Sequence, residues 1–536
     1  VKDSLVNPPT NENLTAPTGT TFGQWMALAA ALLGWMFDGA EMGVFSMVGR
    51  AAIQDLLANS SSPPADPEGQ LGLYFGVIIA VFLVGAATGG VLFGWLGDRI
   101  GRVRAMSLSV ITYAVFTGVC GFAQTPIQLG VLRFIAALGM GGEWSLGVAL
   151  VMEVWPNRSR ALMAGLIGAS ANAGYLLVGV IGIGLTAVLS QFEVWLHDIG
   201  LADSTVKMLV ANKGWRLMMM LGTFPALLTF LFRMFVPESH KWESEKGSGT
   251  TSNWVTSDLL GVLVGAVGPG LIVWVWADES MASGYRIAGT LIGLVIATVG
   301  YLYPVVRFLQ RTFAQSPDLV NDSRQTIRRM LLGACLSGIA LLGTWGSTQW
   351  AMTWAGQLTQ GVAVPSDASF IWKHPREYTQ IFTAVGAIVG TIGAAMLGDW
   401  LGRRTAYCLL CLTSIASVLW FYQFHNAFGW EFLISAFVAG VCTASFYGWL
   451  PLYLPELFAT RVRATGQGFA FNFGRILAAI GTLQIGAILK HVGNYQTYAG
   501  VKGGYPIACS FVCCVYLLGM GLIWLAPETK GQPLPE

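Results

Sequence analysis

Charge is scarce in this chain. Lys, Arg, Asp and Glu supply 11% of its 536 residues, under half of the ~25% usual for a soluble domain, so a water-soluble fold is excluded. Histidine is scarcer still: five residues are too few to complete metal sites with the eight cysteines, which lie in or beside apolar segments and read as packing residues. A net charge of +2 gives no footing for nucleic acid. The first twenty or so residues hold Pro, Thr and Asn but no basic start, short apolar core and cleavage site, so no signal peptide is expected. The polar residues form no nucleophile elbow, metal-ligand spacing or phosphate loop, which argues against an enzyme and against a cofactor.

What the chain has is long apolar runs. Hydrophobic residues reach 54%, and windows long enough to cross ~30 Å of hydrocarbon fall near 22–48, 71–96, 103–123, 127–152, 161–189 and 214–236. Two more lie near 257–277 and 285–308, then six near 327–351, 378–398, 404–424, 430–455, 462–490 and 504–526. The expected order is six, two, six: an all-α membrane protein of fourteen spans. Loops with Arg99, Arg102 and Arg104, with Arg158 and Arg160, with Lys241 and Lys246, with Arg403 and Arg404, and with Arg461 and Arg463 then share one face. The positive-inside rule makes that face, and both termini, cytoplasmic, although Lys207, Lys213, Lys373 and Arg376 fall outside. The expected division is a tail (1–21), a six-helix bundle (22–241), a linker with two extra helices (242–326), a second bundle (327–526) and a tail (527–536).

One charged cassette occurs twice, about three hundred residues apart. GDRIGRVRA (Gly97–Ala105) is followed by Glu153-x4-Arg158-x-Arg160, and GDWLGRRTA (Gly398–Ala406) by Glu456-x4-Arg461-x-Arg463. Such duplication implies two similar half-proteins. Asp98, Glu153, Asp399 and Glu456 are expected at helix C-termini, where a carboxylate opposes the helix dipole at a cost of ~0.3–1 kcal/mol. Partners such as Arg102, Arg160, Arg403 and Arg463 are needed there, and bonds that form in one conformation and break in another make a latch.

These residues carry a resemblance. Gly94-x3-Asp98-Arg99-x-Gly101-Arg102 resembles the loop-two-to-three signature of the major facilitator superfamily, with a degenerate second copy in which Trp400 replaces a basic residue. Arg133 in LRFIAALGMGG resembles its fourth-helix arginine motif, and Pro237-Glu238-Ser239 and PETKG (Pro527–Gly531) are similar to tail motifs of the sugar-porter-like branch. The resemblance implies two pseudo-symmetric six-helix bundles with substrate between them. Where hexose porters carry a glutamine pair, helix seven reads GTWGSTQWAMTWAGQL (Gly343–Leu358), which points away from a hexose carrier. GMGGEW (Gly139–Trp144), Asp38-Gly39-Ala40-Glu41 and the two extra helices look most like the sialate:proton symporter group; Asp-Gly-x-acid and an arginine in helix eleven also resemble aromatic-acid:proton symporters. Both groups move organic anions with protons.

Asp38, Glu41, Arg133 and Arg475 lie inside apolar windows, where an ionised group costs at least ~2.5–3.5 kcal/mol, so they need partners or a watery cavity. Asp38 and Glu41 share a helical face at a depth like that of Arg133, the outline of a proton site; the alternative is a static ion pair between helices one and four. Aligning the halves pairs Gly168–Tyr175 with Gly468–Arg475. Arg475 falls near mid-membrane and could take a carboxylate, with Asn172, Tyr175, Asn472, Gln349 and Trp345 lining the wall; alternatively it pairs with Asp38 or Glu41. The expected function is proton-coupled symport of a small organic anion, a sialic-acid-like sugar acid first, by a monomer in the plasma membrane. The alternatives are an aromatic or short-chain carboxylate symporter and a neutral-sugar facilitator.

Overall fold

The computed structural model describes residues 22–59, 67–223, 236–278, 280–314, 320–362 and 369–535. The apolar windows become helices: α1 (Phe22–Ala58), α2 (Pro67–Ile100), α3 (Arg102–Cys120), α4 (Pro126–Val154), α5 (Arg160–Asp198) and α6 (Asp203–Leu221) in the first half. A surface helix α7 (His240–Gly247) leads to the pair α8 (Leu259–Ala277) and α9 (Ser283–Ala314). The second half holds α10 (Val320–Trp345), α11 (Ala351–Leu358), α12 (Ser369–Trp372), α13 (Pro375–Leu401), α14 (Arg403–Gln423), α15 (Trp430–Thr443), α16 (Phe446–Tyr453), α17 (Arg463–His491), α18 (Gly504–Val512) and α19 (Val515–Leu522). Among the described residues, twelve helical segments are long and apolar enough to cross a membrane. Much of the window near 214–236 lies outside the described residues.

Helix boundaries depart from the windows for local reasons. α1 continues past Val48 because Ile53, Leu56 and Leu57 stay buried and Asp55, also buried there, is satisfied by Asn212 Nδ2 at 2.7 Å and Trp215 Nε1 at 3.0 Å. Helix seven breaks after Trp345, and the Ser347 carbonyl freed there accepts from the Tyr422 hydroxyl at 2.7 Å. The windows near 430–455 and 504–526 are broken in the same way, between α15 and α16 and between α18 and α19. Gly101 and Gly402, at φ of 111° and 95°, turn the chain sharply from α2 into α3 and from α13 into α14, in a region a side chain would strain.

The halves meet along two seams. α2 packs on α17, while α5 packs on α13 and α16. α2 is held so closely that a Cβ at Gly89 would lie 1.9 Å from the Leu138 carbonyl oxygen and one at Gly90 2.0 Å from Asn472 Nδ2; small residues allow such approach where lipid offers no hydrophobic drive. The extra pair α8 and α9 pack on each other and cover the α2/α17 seam. A Thr88–Tyr301 hydroxyl bond of 2.7 Å ties α9 to α2, and Arg311 grips Asp258 through two bonds of 2.6 and 2.7 Å.

Candidate functional site

The first cassette forms a bundle of bonds at one end of the molecule. Asp98, at the end of α2, accepts from Ala464 N (3.3 Å), Thr465 N (2.8 Å) and Thr465 Oγ1 (2.6 Å), and pairs with Arg102 at 2.9 Å. It thus caps the N-terminus of α17 in the opposite half, and the favourable dipole there offsets the unfavourable one of its own helix. Glu153 joins Arg102 (3.2 Å) to Arg463 (2.9 Å), and Arg102 also donates to the Thr460 carbonyl at 2.9 Å. In the second cassette Arg403 holds Glu456 at 2.7 Å and Asp399 at 3.4 Å, all within one half. Arg160, expected as a partner, forms no ion pair among the described residues; Glu456 acts on it only through space.

The tail motifs complete both cassettes. Glu238 accepts from Arg102 N at 2.9 Å, and Ser239 donates to Glu153 at 2.5 Å; Glu528 accepts from Arg403 N at 3.0 Å, and Thr529 donates to Glu456 at 2.6 Å. Burial pushes the Glu238 carboxyl above its ordinary range despite these donors. Burial acts the same way on Glu528, but the amides of Arg403, Arg404, Lys530 and Thr529 outweigh it and hold that carboxyl low. Beyond the motif, Leu534 is buried and the Pro535 carbonyl accepts from Arg463 at 2.6 Å.

Toward the opposite end, the halves part around two joined cavities. The inner one, about 90 Å³, is lined by Asp38, Asn172, Tyr175, Trp345, Gln349 and Arg475, with Trp35, Gln380, Tyr447 and Phe471. It continues through Trp345, Gln349 and Gln380 into an outer cavity of about 460 Å³ that reaches Arg50, Gln360 and Arg376. Below it, Phe471 stacks on Trp144 with centroids 3.7 Å apart, an aromatic floor between cavity and cassette.

Arg475 lies over the Phe471 ring, 5.4 Å from its centroid. It is buried, and its Nη1 has no hydrogen-bond partner among the described residues; Asp38 acts on it across the cavity. Glu41 instead forms a buried ion pair with Arg133, whose guanidinium is sandwiched 4.4 and 4.3 Å from the Phe45 and Phe82 rings. The three residues grouped by depth therefore divide: Glu41 with Arg133, Asp38 with the cavity. Tyr175 donates to Gln349 Oε1 at 3.2 Å. Asn172 is on the wall, with its amide turned to its own Gly168 carbonyl at 2.9 Å. Asn472, expected beside it, is fully buried at the α4/α17 crossing and bonds the carbonyls of Gly141 and Gly468 at 3.1 and 3.0 Å. The wall also holds Gln380, which donates to the Tyr175 carbonyl at 2.8 Å, and Phe471, one turn before Arg475. Sequence reasoning passed over both; helical spacing from Arg475 was a usable signal for the second.

Two helical halves sealed at one end by a cross-half charge cluster, and holding a polar cavity between them, define a membrane carrier of the major facilitator type. The profile of the Sugar (and other) transporter family matches residues 24–262 and 373–536, and the chain belongs to that family. These are transporters that need no cofactor, not enzymes. The chain is 24% identical over 511 residues to a putative metabolite transport protein of Haemophilus influenzae, covering 95% of this chain and 98% of the relative. It is 24% identical to the cis,cis-muconate transport protein of Acinetobacter baylyi, covering 82% and 84%. The fold resembles that of the proton:xylose symporter XylE bound to 6-bromo-6-deoxy-D-glucose, with a TM-score of 0.66, 16% identity, and coverage of 96% and 98%.

Proposed function

We propose that the protein imports a small carboxylate together with a proton by alternating access, Arg475 taking the carboxylate and Asp38 the proton. The observation that carries this reading is the buried guanidinium beside the cavity whose Nη1 has no hydrogen-bond partner among the described residues. A carboxylate there supplies the two-pronged acceptor that the fold withholds. Ionised Asp38 competes for Arg475, whereas protonated Asp38 does not. Proton and anion therefore favour each other's binding, which is the coupling a symporter needs.

The wall favours a planar aromatic or unsaturated acid over the sialic-acid-like sugar acid suggested by the motifs. Trp35, Trp345, Tyr447 and Phe471 give flat faces, the amides of Asn172 and Gln380 are committed to backbone carbonyls, and Asn472 is withdrawn into packing. The relative named for cis,cis-muconate supports this class. The same reading takes fourteen spans, adding α17 and the window near 214–236 to the twelve. It places the cassette end and both termini in the cytoplasm, in a plasma-membrane monomer of two bundles at 22–241 and 327–526.

Uptake into proteoliposomes tests it. Arg475→Ala is expected to abolish carboxylate uptake, and Asp38→Asn to remove its pH dependence. A thermal-shift panel of aromatic acids, sugar acids and neutral sugars identifies the class. Stabilisation by neutral sugars alone, or pH-independent uptake by the wild type, overturns the reading.

A further inference from the structure

The aromatic floor beneath the inner cavity separates two sets of ionisable groups. Along α17, at ~1.5 Å per residue, Phe471 lies about 6 Å below Arg475 and about 12 Å above Arg463 of the charge cluster. On α1, Trp35 stands one turn before Asp38. Trp144 of the first half and Phe471 of the second stack with planes 12° apart, and the Trp35 ring packs 6.1 and 6.4 Å from theirs. All three rings are buried. Two amides pin the stack across the halves, one on either side: Asn472 donates to the Gly141 carbonyl at 3.1 Å, and Gln467 donates to that of Ser145.

The layer also carries polar atoms that it leaves unused. Trp144 Nε1, Gln467 Oε1 and Asn472 Oδ1 are buried with no hydrogen-bond partner among the described residues, a cost that packing alone does not require. Neither ring of the stack can relay a proton: an indole N–H only donates, and phenylalanine has neither donor nor acceptor. We infer that the Trp144–Phe471 stack is a proton seal, which keeps the charge taken up at Asp38 from running ahead of the cargo to the carboxylates of Asp98 and Glu153. The inference rests on the reading of Asp38 as the proton site. Rings in face-to-face contact leave no room for the ~30 Å³ share of a water molecule, whereas a gap there would be wetted by the three unused polar atoms. Glu143, buried at the same level on α4, adds a further carboxyl to such a route. A chain of waters joining these groups would dissipate the proton gradient without moving any anion.

Proton entry into substrate-free proteoliposomes, driven by a potassium diffusion potential and followed with a trapped pH dye, tests the seal in the intact chain. Phe471→Ser opens a space larger than a water and lines it with a hydroxyl. It is expected to raise proton entry about tenfold or more over wild type, because hydration relieves the desolvation that bars the charge. Phe471→Leu refills most of the space with apolar atoms and is expected to leak little. Trp144→Ala opens the same layer from the first half, and it is expected to leak whether or not the serine variant assembles. Adding Asp38→Asn to a leaking variant is expected to cut the leak several-fold, which a general loosening of the fold would not do. No leak in either Phe471→Ser or Trp144→Ala, or a leak indifferent to Asp38→Asn, overturns the seal, and pH-dependent cis,cis-muconate uptake by the wild type then leaves the Asp38 reading standing. If wild-type uptake is pH-independent, that reading falls and takes the seal with it.

Discussion

The two cassettes have nearly the same residues at the same spacing, but they reach in different directions. Asp98, Arg102 and Glu153 each bond to the opposite half, at Thr465, Thr460 and Arg463, whereas no hydrogen bond from Asp399, Arg403 or Glu456 leaves the second half among the described residues. Asp399 is 59% exposed where Asp98 is fully buried. The first copy therefore ties the two halves together at α17, and the second bonds only within its own half. Sequence symmetry persists while the workload has moved to one side.

That contrast can be broken most sharply at the central acids. Glu153→Gln leaves two buried arginines facing a neutral group, a loss on the order of 3–5 kcal/mol that falls on the cassette-closed state. Maleimide labelling of Ala464→Cys, buried at that junction, is expected to rise steeply in that background. Glu456→Gln is expected to lower Tm comparably with no rise in labelling; equal labelling in both would erase the distinction. A smaller effect separates the aspartates. Asp98→Asn removes a charged cap from α17 and is expected to cost about 1–2 kcal/mol in thermal unfolding, against about 0.5 kcal/mol or less for exposed Asp399→Asn.

The smallest difference lies in the tail acids, and it has a sign. Glu528 is held below its usual value of 4.5, so its contribution is present above that pH and is lost as pH falls through the lowered value. Glu238 is held above 4.5, so its contribution is present at low pH and fades as pH rises through the raised value. The Tm deficit of Glu528→Gln should shrink on acidification, and that of Glu238→Gln should shrink on alkalinisation. Parallel pH profiles would contradict the opposite shifts.

Much of this was legible from the chain. Helix positions follow from apolar length, and the cassettes announce two halves. A lone arginine in an apolar window is costly enough that it has to face a cavity or a partner, and Arg475 faces the inner cavity. What sequence withheld is the rotation of each helix about its axis and the identity of neighbours in the other half. Asn172 and Asn472 align and make the same bond one turn back, yet one reaches the cavity and the other fills the crossing against Gly90. Depth alone grouped Asp38, Glu41 and Arg133, but helix facing sent Glu41 to Arg133 and Asp38 toward Arg475. The breaks in helix seven and in α15/α16 were hidden because the carbonyls they free are satisfied by distant groups such as Tyr422.

Arg463 divides its guanidinium among Glu153 of the other half and the backbone carbonyls of Phe458 and Pro535, and Leu534 is buried. The tail is thus a wedge driven against the lock from its own side. Displacing residues 534–535 removes one of three anchors on that guanidinium, so the hold of one half on the other depends in part on a segment that lines neither cavity.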